Sequence, residues 1–211
     1  VHFDVTKWNY IDLLRFVIVY WILEDVLSSF CGETRKGNLF CLRLKDATYT
    51  QNTIAEYLYR GECLPKAITH NDYRYSSVNF SSVTKFGSIE FRLMRGVDNA
   101  KEACSWIDIL EKIKEYSFKF NTPLDVREAF LKKHDAASYA SDILGSELFG
   151  LVSSHLPKDF CVPSSVRDSF MYVSHIFSAH KTWDFKKDIE ELKKKKEEQI
   201  AAAKKAMKAA Y

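Results

Sequence analysis

The chain has 211 residues, of which 46% are hydrophobic and 28% charged, and its formal net charge is +3. This is ordinary globular composition, with enough apolar residues to fill a core. The charge is too balanced to indicate nucleic-acid binding. The longest strongly apolar run, residues 16–23, is far shorter than the roughly 20 residues that a membrane span needs. We therefore expect one fair-sized domain or a domain with an appendage, and neither a nucleic-acid nor a membrane partner.

The cysteines are odd in number, widely scattered and free of any Cys-x-x-Cys pair. This pattern favours a reduced, cytoplasmic protein over a disulfide framework or a structural zinc site. The chain opens at Val1, without an initiator methionine, on what reads as a strand. We therefore expect a fragment or a processed product of something longer.

The first third of the chain alternates short strands with helices. Residues 1–4 alternate between apolar and polar, which predicts a strand. Residues 9–30 predict a helix that is apolar almost all round and therefore buried. Residues 39–44 predict a short strand or extended segment, and residues 52–62 predict a helix.

The middle third predicts two strands followed by a helix. Residues 74–80 and 88–94 read as strands that form a hairpin or lie further apart in one sheet. Asn99 is placed to cap the next helix, with Glu102 three residues later completing a capping box. Apolar residues then follow the helical period, and the segment ends before Pro123.

The last third is predicted to be helical throughout. The segments 123–133, 136–154 and 164–180 read as helices, and residues 184–211 as one long helix without Gly or Pro. The fold class is thus α+β, an antiparallel sheet with helices on one side followed by a helical region. The predicted domains are an α+β unit (1–121), a helical extension (122–183) and a long charged helix (184–211).

Three interpretations are open for residues 184–211, where a narrow apolar stripe runs through Lys and Glu. The segment is a solvent-bridging helix, or a coiled-coil or docking helix for a protein partner, or a nonspecific nucleic-acid contact. Acidic residues are interspersed with the lysines, which weighs against nucleic acid.

The strand after Gly87 carries the most informative polar pair. Successive strand side chains point to opposite faces, so Glu90 and Arg92 share one face while Ile89, Phe91 and Leu93 form the other. Glu90 and Arg92 are about 6.6 Å apart along the strand, too far for a tight pair. This spacing suits two groups that reach toward a shared ligand, such as a metal with phosphate or a carboxylate substrate.

Four segments together resemble the amidoligase family found in phages and in bacterial and fungal genomes. They are VHFDV, RKGNLFCLRL, the stretch from RYSSVNF to SIEFR, and the helix with Trp106. Their order and spacing follow the family pattern, and the resemblance covers residues 1 to about 120. The matching residues are His2, Arg35, Asn38, Phe40, Cys41, Arg74, Tyr75, Asn79, Ser88, Ile89, Glu90, Phe91, Arg92 and Trp106.

This resemblance implies a fold related to glutamine synthetase and glutamate-cysteine ligase. It also implies an ATP-dependent reaction in which a carboxylate attacks the γ-phosphate and an amine displaces the resulting acyl phosphate. ATP and Mg²⁺ are therefore the expected cofactors. The family's upstream G-x-E-x-E strand, expected to hold metal, does not occur here, so a missing N-terminal half or a separate complementary chain is the expected partner.

The resemblance assigns roles to seven residues. Glu90 is the expected metal ligand, because Mg²⁺ prefers carboxylate oxygens. Charge that builds on phosphate oxygens calls for fixed guanidinium groups and orienting donors. The expected catalytic residues are Arg92, Arg74 and Asn79, and the expected substrate- or phosphate-binding residues are Arg35, Asn38 and His2.

Each of these residues also has a purely structural interpretation. Glu90 and Arg92 would then each pair with neighbours across a solvated sheet, Arg35 would be a solvated turn residue, and Cys41 a small buried hydrophobe. Cys41 acts as a nucleophile only if an electropositive site lowers its pKa. At the level of the whole protein, the alternative is a non-catalytic scaffolding component of a larger assembly, such as a phage particle, built on the same fold.

Overall fold

The computed structural model describes residues 1–60, 71–133 and 135–178, together with the isolated helical residues Lys194 and Glu198. The prediction of one long helix over 184–211 otherwise lies outside the described residues. The α+β class is confirmed, since helices predominate around one small antiparallel sheet. In chain order the elements are β1 (His2–Asp4), α1 (Tyr10–Cys31), α2 (Thr48–Arg60), β2 (Val78–Asn79), α3 (Ser81–Phe86), β3 (Ser88–Phe91), α4 (Ala100–Ser117), α5 (Pro123–Leu131), α6 (Ala136–Ser153) and α7 (Val162–Ser178).

Helix α1 forms the centre of the molecule. Asn9 caps it by accepting hydrogen bonds from the backbone N–H groups of Ile11 and Asp12, and the Asp12 carboxylate bonds back to the Asn9 N–H. Almost every residue from Leu13 to Cys31 is buried, as predicted. The reason is that α1 is covered both by the sheet and by helices α4 to α7, which leaves no face for solvent.

The sheet has the strand order β1-β3-β2, and both pairings are antiparallel. Its apolar face packs on α1, where the rings of Phe3 and Phe91 lie 5.3 Å and 5.5 Å from that of Phe16. Tyr20 adds a further edge contact with Phe91 at 4.9 Å. Because strand side chains alternate, this packing directs the residues of the other face away from the core.

The strands are shorter than the sequence predicts. Strand β2 consists of Val78–Asn79 alone, because residues 71–75 form a 3₁₀ turn. Strand β3 ends at Phe91 instead of residue 94. Residues 39–44 contribute no strand but one parallel bridge between Leu42 and Ser76, so this segment is fastened beside β2 by isolated backbone bonds.

Helix α4 begins where the sequence predicts, but its cap differs. The Asn99 side chain accepts a hydrogen bond from the Lys101 N–H, as an N-cap should. Glu102 does not complete a capping box: its carboxylate instead accepts a hydrogen bond from the Arg95 guanidinium. Arg95, from the segment after β3, thus binds the Glu102 carboxylate that the sequence predicts would bond to the Asn99 N–H.

Helices α5, α6 and α7 match the three predicted segments to within a few residues. Thr122 caps α5 with a reciprocal bond from Asp125, and Gly145 kinks α6 with φ +76°. Their apolar residues, among them Val126, Tyr139 and Phe170, join the same hydrophobic core as α1 and the sheet. The predicted division near residue 121 stays a prediction, although the core is continuous across it.

Within the described part of the chain, no helix is long and apolar enough to cross a membrane. The described cysteines are all free thiols, with Cys31 and Cys41 buried and Cys104 and Cys161 exposed.

Candidate functional site

Three of the predicted site residues stand in a row across the polar face of the sheet. Glu90 on β3 is paired with His2 on β1 and with Asn79 on β2. Directly paired residues of antiparallel strands share a face, so the row runs His2–Glu90–Asn79 with Glu90 at its centre. Residues 2 and 90 are far apart in sequence, and strand pairing alone brings them together.

The Glu90 carboxylate is partly solvated and has two protein neighbours. The Asn79 side-chain amide donates to one oxygen at 2.8 Å. The Arg92 guanidinium approaches the other, with Nε 3.8 Å away, and both side chains are 27% exposed. The expectation that Glu90 and Arg92 do not form a tight pair agrees with this distance, although the long arginine side chain does bend back toward the carboxylate. Their pairing is loose and the Glu90 side chain is partly exposed, so the carboxylate can accept a further ligand.

Asn79 is almost fully buried and acts as a hub. Besides donating to Glu90, its side-chain oxygen accepts from the backbone N–H and the hydroxyl of Ser81, at 2.9 and 2.7 Å. These bonds fix the start of α3, the short helix that links β2 to β3. The link ends at Gly87, whose φ of +64° favours glycine; a Cβ there would clash with the Thr6 side chain.

His2 flanks the row on its outer side. Its Nδ1 hydrogen-bonds the Ser88 hydroxyl at 2.9 Å, and its ring meets Phe86 edge-on at 5.9 Å. These contacts fix the ring orientation while His2 stays exposed. His2 is therefore close enough to Glu90 along the row to contribute to the same polar surface.

Arg35 and Asn38 are held by backbone groups outside the row. Arg35 donates from Nε to the Leu93 carbonyl at 3.1 Å and from Nη2 to the Arg92 carbonyl. The Asn38 side-chain oxygen accepts from the Phe40 N–H at 2.9 Å. Both residues organise the turn after α1, so their phosphate-binding role stays a prediction.

Arg74 lies outside the row, beside Arg92, and is exposed. Its guanidinium lies over the Tyr75 ring, 4.8 Å from the centroid, and Nη2 donates to the Tyr75 hydroxyl at 2.6 Å. Its backbone carbonyl accepts a hydrogen bond from Nη1 of Arg92. Arg74 thus meets the site through Arg92, and its side chain projects toward the aromatic residues beyond.

The nucleophile hypothesis for Cys41 receives no support. Burial raises the pKa of its thiol above the usual range, outweighing the opposing effect of Arg35 and Arg92. A raised pKa leaves less thiolate at neutral pH. Its Sγ lies 3.7 Å from the Arg35 carbonyl, a weak bond that belongs to the turn.

Sequence reasoning missed the buried carboxyl group of Glu24. It is 1% exposed in the middle of α1 and accepts from the Leu44 N–H at 2.7 Å and from the Ser77 hydroxyl. Burial raises its pKa to about 8. The one available signal was an acidic residue directly after the apolar run in a helix predicted to be buried all round. Through these two bonds, Glu24 connects the segment of Leu44 and the residue before β2, Ser77, to the buried helix α1.

The residues present suit one protein ligand to Mg²⁺. In the described ranges no three His, Cys, Asp or Glu side chains form a metal-binding group. Mg²⁺ is, however, typically held by one or two carboxylates together with substrate phosphates and water. The partly exposed Glu90 carboxylate fits that description. The Asn79 oxygen fits less well, since two donors from Ser81 already occupy it.

Comparison with known proteins points to one family. No curated protein and no solved structure matches the chain. Residues 1–114 match the model of the family described as "Putative amidoligase enzyme". The match covers more than half of the 211 residues and contains the row His2–Glu90–Asn79 and Arg92. The chain therefore belongs to this amidoligase family.

Proposed function

We propose that this protein is an ATP-dependent amidoligase, which joins a carboxylate to an amine through an acyl phosphate. The observation that carries the proposal is the polar row of the sheet. Its central carboxylate, Glu90, is partly exposed, accepts a hydrogen bond from Asn79, lies close to the Arg92 guanidinium and is paired across the sheet with His2. Binding of a Mg²⁺–nucleotide requires a carboxylate that can bind the cation and a nearby guanidinium that can bind the phosphate.

The four residues have distinct roles in this proposal. Glu90 holds Mg²⁺, which when bound supplies charge neutralisation on the phosphate oxygens. Arg92 binds phosphate oxygens, and its bond to the Arg74 carbonyl keeps the guanidinium in place. Asn79 orients the Glu90 carboxylate through its amide. His2, at the outer end, binds phosphate or substrate.

We further propose that additional metal carboxylates come from another segment or chain that pairs with β1. Val1 accepts from the Phe91 N–H and the Val5 N–H donates to the Gly87 carbonyl, so residues 1, 3 and 5 bond toward β3. The backbone groups of His2 and Asp4 then point outward. A strand added at this edge would place its side chains beside His2, on the glutamine synthetase-like plan. The free thiols support a cytoplasmic site of action.

The test is the Mg²⁺ dependence of ATP binding, measured by calorimetry with and without EDTA. We expect the wild-type protein to bind ATP about tenfold or more tightly when Mg²⁺ is present, and Glu90→Gln to lose most of that difference. The amide keeps the size of the side chain but removes the charge that binds the cation. Glu115→Gln is the matched control, since Glu115 lies on the exposed face of α4 and pairs with Lys112, far from the polar row in sequence and on another element.

Two results would contradict the proposal. If Glu90→Gln and the wild type respond equally to Mg²⁺, Glu90 is not a ligand. If the wild-type protein, alone and with any chain that co-purifies, binds no ATP, the non-catalytic scaffolding role becomes the better account.

A further inference from the structure

An exposed aromatic surface adjoins the polar row. Phe40 is 63% exposed and its neighbour Leu39 is 73% exposed. The Phe40 ring meets the Tyr75 ring at 6.0 Å with the planes tilted by 44°. A large apolar side chain left in water forgoes the stabilisation of burial. Phe40 and the Tyr75 ring it contacts therefore offer apolar area that a flat ligand could bury.

The surrounding polar residues hold these rings in position. The Asn38 side chain and carbonyl accept from the Phe40 and Cys41 N–H groups, at 2.9 and 3.0 Å, which forms a tight turn. The Leu42 N–H donates to the Tyr75 carbonyl at 2.7 Å. Phe40 therefore projects from a fixed turn that is tied directly to the residue it contacts.

Arg74 adds a planar cation to the same surface. Its guanidinium lies over the Tyr75 ring and is tethered by the bond to the tyrosine hydroxyl. Guanidinium planes and aromatic rings both offer flat faces on which a further ring can stack. The site thus combines three flat groups from two segments of the chain.

This surface is continuous with the proposed phosphate site. Arg92 lies between Glu90, on one side, and the Arg74 carbonyl, on the other. The order across the surface is therefore Glu90, Arg92, Arg74, Tyr75 and Phe40. A ligand with charged phosphates at one end and a flat base at the other matches this order of a carboxylate, cations and aromatic rings.

We propose that Phe40, Tyr75 and Arg74 form the subsite that binds the purine base of the nucleotide. The base stacks on this surface while its phosphates extend toward Arg92 and Glu90. The inference rests on the proposed nucleotide-dependent function and gives Arg74 a base-binding role in place of the catalytic role that the resemblance implies. Asn38 and Arg35 then act as positioning residues for the turn.

The test compares ATP, inorganic tripolyphosphate and adenosine by calorimetry on the purified chain. Phe40→Ala should weaken ATP binding about tenfold, in the range of base–aromatic stacking, while tripolyphosphate affinity stays unchanged. Phe40→Trp, which keeps a flat ring, should retain wild-type ATP affinity. Tyr172→Ala is the matched control, because Tyr172 is an exposed aromatic residue on α7 at 50% exposure. Circular dichroism checks that each variant is folded.

The outcomes separate this inference from the proposed function. The subsite is rejected, and the ligase proposal stands, in either of two cases. In the first, ATP binds with the same affinity to Phe40→Ala as to the wild type. In the second, Phe40→Ala weakens tripolyphosphate binding as much as it weakens ATP binding. If ATP does not bind but adenosine binds and loses affinity in Phe40→Ala, the subsite stands and the ligase proposal falls. If neither ATP nor adenosine binds, both the subsite and the ligase proposal are overturned. Loss of self-association in Phe40→Ala, with ATP affinity unchanged, would instead assign the surface to contacts between copies of the chain.

Discussion

Two glutamates, Glu24 and Glu90, each bond to a residue in or next to β2, yet the fold uses the same side chain in different ways. Glu24 is buried, with both oxygens satisfied by a backbone N–H and a hydroxyl, and its pKa is raised to about 8. Glu90 is 27% exposed, with one amide donor and one loosely placed arginine. Glu24 therefore stabilises the fold, whereas Glu90 can still bind a ligand such as a cation.

The difference comes from what each carboxyl group would lose by binding a cation. For Glu24, a cation would have to displace two internal hydrogen bonds in a fully buried site, and the lost bonds and the burial of the charge would outweigh the gain. For Glu90, the partly exposed carboxylate keeps part of its solvation, so a cation can replace water. The type of partner and the degree of exposure together decide the role.

The largest effect on stability is expected from Glu24→Ala. The change leaves the Leu44 N–H and the Ser77 hydroxyl without acceptors and opens a cavity, and we expect the free energy of unfolding to fall by about 3–5 kcal/mol. Glu90→Ala should cost about 1 kcal/mol, because its Asn79 bond is partly replaced by water. Urea unfolding of both variants measures the contrast. Equal losses would show that Glu90 is as structural as Glu24.

The next effect is a dependence of stability on pH. Between about pH 4.5 and 8 the unfolded chain releases the Glu24 proton while the folded protein keeps it, so stability falls as pH rises, by at most about 1.4 kcal/mol per pH unit. Glu24→Gln removes this titration. We expect wild type and variant to be similar at pH 5 and the variant to be several kcal/mol more stable at pH 8. Parallel stability curves over this range would contradict the raised pKa.

The smallest expected effect on stability distinguishes Arg35 from Arg74. Arg35→Ala removes two hydrogen bonds to the carbonyls of Leu93 and Arg92 and should lower the free energy of unfolding by about 1–2 kcal/mol. Arg74→Ala, at an exposed position, should leave stability unchanged and weaken ATP binding. Thermal unfolding and calorimetry on both variants test this. An Arg74 variant with lower stability and normal ATP affinity would reverse the assignment.

Much of the fold and part of the site could be predicted from the sequence. The helical period placed α4, since it is a local signal that burial of one face reinforces, and the long apolar run marked α1. Strand lengths were overestimated because local alternation does not reveal that Tyr75 closes a 3₁₀ turn. Strand spacing correctly indicated that Glu90 and Arg92 form no tight pair, but it describes only the backbone, so it could not show how closely the flexible arginine side chain approaches the carboxylate.

By itself, the sequence determined the α+β class, the helices and the identity of the polar residues. Only the tertiary structure decided which of them meet. The pairing of β1 with β3 places His2 beside Glu90 across nearly ninety residues, and the Leu42–Ser76 bridge brings Phe40 to Tyr75. The physical reason is that periodicity and propensity act over a few neighbouring residues, whereas strand register and the burial of Glu24 arise when distant segments compete for the same core.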